Sequence, residues 1–196
     1  MTEGQPLLDF LEDMRRLRRD CPWKREQTHR SLARYLQEET AETLEAIDTG
    51  DVDHLREELG DLLLQVYFHA VIAEEAGAFT LDDVARGIDE KMHRRNPHVF
   101  GPGGGPSNLS AAEVDAQWQE IKQREKARSS AYDGIGPGLS ALLLATKVLE
   151  RVPDAVPTPD STDLGDRLLA LVQEAVAEGI DPEQALRAAL RRAVPR

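Results

Sequence analysis

The sequence predicts an all-α chain, on three observations. Apolar residues recur three and four positions apart through the long stretches. Gly, Pro and the capping residues Ser, Thr and Asp fall between those stretches, where helices start and stop. Two arcs of carboxylates, Glu38-Glu39 with Glu42 and Glu58 with Asp61, lie on helical faces joined by one tight turn. With 196 residues the chain has room for one large or two small helical domains.

Leu7, Leu8, Phe10, Leu11, Met14 and Leu17 predict a first helix over residues 6–19. Arg15, Arg16, Arg18 and Arg19 near its end are expected to be solvated partners of the helix dipole. Residues 20–30 read as a loop in which Trp23 is a core or dimer-contact aromatic and His29 a polar loop residue. Cys21 has no second cysteine and cannot by itself anchor a zinc site. Thr28 and Ser31 are candidate N-caps for a helix from about Ser31 to Ala46, with Leu32, Leu36, Leu44 and Ile47 at helical spacing. In it Glu38 and Glu42 lie four apart, and Glu39 and Glu42 three apart, on roughly one face.

Gly50 suits the position after a helix end, and Asp51 or Asp53 the start of the next. The following helix, residues 52–76, has a broad apolar arc with Glu58 and Asp61 three apart on one edge. The short connection makes the two helices antiparallel neighbours and brings their acids together. A glycine inside a helix costs about 1 kcal/mol against Ala, so Gly60 is expected to permit close helix packing. His69, two turns past Asp61, reads as a satisfied helix histidine. Thr80 with Asp82 and Asp83 opens a fourth helix that runs to Arg95 and is ended by Pro97. Residues 101–106 lack the lysine and strand-to-helix context of a phosphate loop and read as a tether. Ser110 and Glu113 form a capping box that starts a helix to Arg128 containing Trp118, on these residues alone a packing anchor.

Converging like charges cost energy unless a cation neutralises them. Hard carboxylate oxygens in a partly open site suit Mg²⁺, which retains waters and accepts phosphate oxygens as further ligands. That chemistry points to metal-assisted phosphoanhydride hydrolysis. Lys91 and Arg95, four apart at the end of the fourth helix, present a helical face suited to clamping phosphates. A net charge of −12 disfavours long nucleic acid as a partner. One cysteine, no leader-like start and no membrane-length apolar stretch predict a soluble, cytoplasmic protein.

The acidic pair, the upstream Cys21-Pro22-Trp23 with Gln27-Thr28-His29 and Ser31-Leu32, and the downstream run from Arg94 to Gly101 together resemble the MazG family of nucleoside triphosphate pyrophosphohydrolases. The resemblance covers residues 7–125. It implies an antiparallel four-helix MazG-like bundle that dimerises, Mg²⁺ dependence with Mn²⁺ as a substitute, and cleavage of NTP to NMP and pyrophosphate in nucleotide-pool house-cleaning. Under that reading Glu39, Glu42, Glu58 and Asp61 hold the metal, and Glu38 is an extra ligand or orients the attacking water. Lys91 and Arg95 hold phosphates, with Arg94, Asn96, Trp118 and Tyr35 as further substrate contacts.

Leu59-Gly60-Asp61 followed by Leu63-Leu64 returns as Leu164-Gly165-Asp166 followed by Leu168-Leu169, an internal repeat. No E-E-x-x-E run precedes the second copy, and two carboxylates do not build the same cage. The expected organisation is therefore a pyrophosphohydrolase domain over 1–128, a linker over 129–138 and a shortened, non-catalytic helical repeat over 139–196. Asp163 and Asp166 read as an N-cap and a surface acid. The competing reading is a non-catalytic helical protein that senses nucleotides or docks a partner. Five retained acids argue against it, because binding alone needs fewer.

Overall fold

In the computed structural model, residues 3–105, 108–125, 130–152 and 161–194 are described, with the Gln123 side chain left aside. Every regular element among them is a helix: α1 (Gln5–Asp20), α2 (Pro22–Glu26), α3 (His29–Thr49), α4 (Val52–Glu75), α5 (Leu81–Arg95), α6 (Pro97–Phe100), α7 (Ala111–Glu125), α8 (Ala141–Leu149), α9 (Leu164–Ala177) and α10 (Pro182–Ala193). The chain forms two compact units, 1–114 and 115–196, so α7 spans the boundary between them. The predicted helix end at Arg128 and the Pro-rich stretch 153–159 lie outside the described residues.

In the first unit α3 and α4 pack along a hairpin, α1 packs on α2 and α4, and α5 packs on α4. Thr28 and Ser31 cap each other's backbone N–H groups in a capping box, which starts α3 two residues earlier than the periodicity suggested. Gly50 adopts φ 72° at the end of α3, a left-handed conformation that favours glycine. Asp51 then accepts from the N–H groups of Asp53 and His54. One residue thus ends α3 and its neighbour starts α4, which fixes the hairpin. The core comprises Leu11, Met14, Leu32, Tyr67, Phe68 and Val71, with Phe10 stacked against Tyr67 at 4.9 Å between centroids.

Four expectations need correction. The stretch 20–30 is not wholly loop, because Pro22 at the first helical position starts α2. As expected, α5 ends before Pro97, which itself starts the short α6. The arginines of α1 are not all solvated. Arg15 pairs with Glu74 at 2.9 Å, and the buried Arg18 pairs with Glu75 while donating to the carbonyls of Lys24, Arg25 and Gln27. A guanidinium has enough donors to tie α1, α4 and the α2 turn together, which no local reading of α1 exposes. Trp23 is not core: it is half exposed and meets the Tyr35 ring edge-on at 6.1 Å. A Cβ added at Gly60 would meet nothing within 4 Å, so Gly60 does not serve close packing in this chain.

In the second unit α8 packs on α9 and α10, and α9 on α10. Ser140, Asp163 and Asp181 cap the three helices in turn. Val172 and Leu149 are buried in this unit. No described helix is long and apolar enough to cross a membrane.

Candidate metal centre

The inward stripe of α3 consists of Leu32, Glu39, Thr43 and Ala46, all buried or half-buried. That of α4 passes through His54, Glu58, Asp61 and Gln65 at three- and four-residue steps. Where the stripes meet, one carboxylate oxygen each of Glu39, Glu58 and Asp61 fall within 4.8 Å of one another. Glu58 is the deepest, at 6% exposure. Its Oε1 lies 3.0 Å from His54 Nε2, and its Oε2 is buried without a hydrogen-bond partner. A buried, unsatisfied carboxylate oxygen costs several kcal/mol unless a cation or proton meets it.

Glu42, exposed on α3 about one turn past Glu39, adds its charge to this set. Burial, then the charges of Asp61, Glu42 and Glu58, hold the Glu39 carboxyl above its usual range. A divalent cation relieves both stresses, because it neutralises the converging charges and supplies a partner to the orphaned oxygen. An all-oxygen donor set of this kind fits a hard cation.

Three of the five predicted acids, Glu39, Glu58 and Asp61, therefore come together, with Glu42 exposed beside Glu39. Glu38 does not join the three-oxygen set and is exposed on α3. It stands about 100° round the helix from Glu39, away from the inward stripe. Tyr35 lies one turn before Glu39 and packs partly against the core. On α5, Lys91 is half-buried, Arg94 exposed and Arg95 only 7% exposed. Asn96 donates from Nδ2 to the Met92 carbonyl at 2.8 Å, capping α5 with its side chain. Trp118 lies in the second unit, on α7, with Lys122 Nζ 4.8 Å from its ring centroid.

Two residues of the α3–α4 seam, His54 and Gln65, escaped the sequence reading, and a third, His69, differs from it. His54 contacts Glu58, and the i, i+4 spacing was its signal. Gln65, 4% exposed, stands one turn past Asp61 with its Oε1 buried and unpaired. His69 stacks on His29 with the two Nδ1 atoms 2.7 Å apart, yet its Nε2 is buried without a partner. It is thus only half satisfied, and burial followed by the charge of His29 lowers its pKa. No local pattern announces the pair, since its members are forty residues apart.

A helical hairpin whose seam gathers three carboxylates that could hold a metal ion defines the class: an all-α protein with an acidic cluster between two antiparallel helices. Residues 27–100 match the MazG nucleotide pyrophosphohydrolase domain. The chain is 40% identical over 203 residues to the nucleoside triphosphate pyrophosphohydrolase/pyrophosphatase MazG of Thermotoga maritima, covering 90% of this chain and 77% of that protein. It is 49% identical over 154 residues to the nucleoside triphosphate pyrophosphohydrolase of Mycobacterium tuberculosis, covering 78% of this chain but only 46% of that longer protein. The crystal structure of a MazG-related protein from Thermotoga maritima superposes with a TM-score of 0.50 at 28% identity, over 61% of this chain and 98% of that one. The chain belongs to the MazG family.

Proposed function

We propose that the first unit hydrolyses nucleoside triphosphates to nucleoside monophosphate and pyrophosphate with Mg²⁺, Mn²⁺ substituting. The observation that carries this reading is the convergence of one carboxylate oxygen each from Glu39, Glu58 and Asp61, beside a Glu58 that keeps one buried oxygen without a partner. The names of the relatives from Thermotoga maritima and Mycobacterium tuberculosis agree with it. Glu39, Glu42, Glu58 and Asp61 are assigned to the metal. A bound Mg²⁺ supplies charge neutralisation for a polyanionic substrate and Lewis-acid polarisation of its phosphoryl oxygens.

Glu58, held by His54 on one oxygen, presents the other to the ion, so the histidine fixes which oxygen binds. Glu38, exposed at the edge, is assigned to the attacking water, as an acceptor that orients it toward the α-phosphorus. Lys91 and Arg95 hold the departing pyrophosphate, with Arg94 and Asn96 in support. Tyr35 contacts the nucleoside. The exposed apolar side chains of α3 and α4, among them Leu36, Leu59, Leu63 and Val66, support a homodimer. Within this reading residues 139–196 do not catalyse, and the enzyme cleans nucleotide pools in the cytoplasm.

Incubating the protein with each NTP and Mg²⁺, and measuring pyrophosphate against orthophosphate, tests the reaction directly. Pyrophosphate release in step with NMP is expected. Orthophosphate as the first product, or none of either, rejects the reading.

A further inference from the structure

Helix α9 is apolar on two faces, and its own unit uses only one. Leu169, Val172 and Val176 are buried or half-buried. Leu164, Leu168 and Leu171, four and three residues apart, are 65%, 53% and 61% exposed. This second stripe is more apolar surface than a helix of a closed three-helix unit needs to present. It also recurs. Counted along the internal repeat, Leu164, Leu168 and Leu171 stand where Leu59, Leu63 and Val66 stand on α4, and those three are exposed as well.

The residues flanking the stripe indicate its occupant. Leu164, Leu168, Leu171 and Ala175 follow the alternating four- and three-residue steps of a coiled-coil seam. Arg167 and Glu174 are seven residues apart, hence at the same position beside that seam, and they carry opposite charge. In a parallel pair of identical helices that position faces the one five residues on in the partner, here Val172 and Gly179, so neither charge finds an opposite one. In an antiparallel pair about a twofold axis near residue 170, Arg167 of each copy faces Glu174 of the other. The same axis sets Leu168 against Leu171 and Leu164 against Ala175, a large side chain against a small one. Neither Arg167 nor Glu174 forms an ion pair among the described residues.

We propose that α9 is a self-association surface, occupied by α9 of a second copy of this chain in antiparallel register centred near residue 170. The surface is separate from α3 and α4 and does not depend on the hydrolase reading. An isologous contact of this kind closes on itself, pairing two copies of α9 and no more.

The test uses the full chain with Cys21→Ser to remove the native thiol. In a glutathione redox buffer, Leu171→Cys is expected to form a disulfide-linked dimer, because the two copies of residue 171 sit close to the axis. Leu164→Cys is expected to stay monomeric on a non-reducing gel, since its two copies lie roughly 18 Å apart along the helices. On the Leu171→Cys background, Arg167→Glu or Glu174→Arg alone should lower the linked fraction roughly three- to tenfold by setting like charges opposite in both pairs. The double reversal R167E/E174R should restore it. Far-UV circular dichroism checks that each variant remains helical.

Absence of the residue-171 disulfide in a helical protein overturns the proposal. Equal linkage at 164 and 171 does so too, since that pattern belongs to a parallel pair. A double reversal that fails to recover the linked fraction removes the antiparallel charge register and the proposal with it. A dimer formed through α3 and α4 alone gives none of the α9 linkage, so the two interfaces are distinguishable.

Discussion

Helices α4 and α9 begin from the same local sequence and arrive at different chemistry. Both carry Leu-Gly-Asp followed by a Leu-Leu pair, and both expose the same three apolar positions. In α4, Asp61 and the preceding Glu58 face Glu39 across the hairpin and form one acidic centre. In α9, Asp163 accepts the N–H of Asp166 as an N-cap, and Asp166 accepts from the Ser161 hydroxyl at 2.7 Å. The second pair of acids is satisfied locally, by a helix end and a serine. The first pair has no such outlet, because in the register of the repeat α4 begins about two turns earlier than α9 and leaves Glu58 buried with an orphaned oxygen. An Asp or Glu therefore joins an acidic cluster or becomes a cap according to where its helix starts and what helix lies opposite.

The sharpest way to break this contrast is to neutralise one acid on each side. Glu58→Gln is expected to lower NTP turnover by roughly 100-fold or more, the scale of losing one preorganised electrostatic group, with the helical circular dichroism retained. Asp166→Asn should leave turnover at the wild-type level. Equal effects of the two substitutions would erase the distinction.

Metal removal separates the halves by stability. At about one hundred times its dissociation constant, Mg²⁺ should stabilise the unit that holds Glu58 by about 2.7 kcal/mol. This reads as a rise in melting temperature that EDTA reverses. The Glu58→Gln chain should show little of that rise, and Asp163→Asn the whole of it.

Acidification gives a smaller, graded effect. The Glu39 carboxyl is held above its usual range by burial and by its acidic neighbours. Without metal, that group's stabilising proton is fully present below the unfolded value and is lost as pH rises through the folded one. Relative to wild type, the metal-free Glu39→Gln chain should therefore gain stability as pH rises through that window, followed by urea midpoints. Mg²⁺ affinity of the wild type should fall on acidification through the same window, by at most about tenfold per pH unit for one competing proton.

The smallest effect concerns the repeated glycine. Gly60→Ala meets open space and should stabilise α4 by roughly 0.5–1 kcal/mol. Gly165→Ala places its methyl 3.0 Å from Asp163 Oδ1, against the cap of α9, so its gain should be smaller or reversed. Urea midpoints of the two variants give the comparison. A Gly60→Ala chain less stable than wild type would mean that this face is covered in solution.

Much of this was legible in the residues. The hairpin follows from Gly50 and Asp51, whose chemistry ends one helix and starts the next without help from the rest of the chain. Glu39, Glu58 and Asp61 were readable because helical period and an antiparallel return suffice to bring them together. Glu38 was misplaced, since its spacing to Glu42 suits the same face while the packed stripe of α3 is centred on Glu39. The Arg18 clamp and the His29–His69 stack were not readable at all, because each joins residues forty or more positions apart through packing rather than period.

The sequence by itself determined the all-helical class, the caps, the hairpin and the identity of the acids, because these depend on short-range backbone chemistry and a fixed turn of 3.6 residues. Only the tertiary structure decided which carboxylate oxygens lack a partner, which arginine is buried and which apolar stripe is left uncovered. Those are properties of what stands opposite a side chain, and that is set by packing between helices distant in the chain.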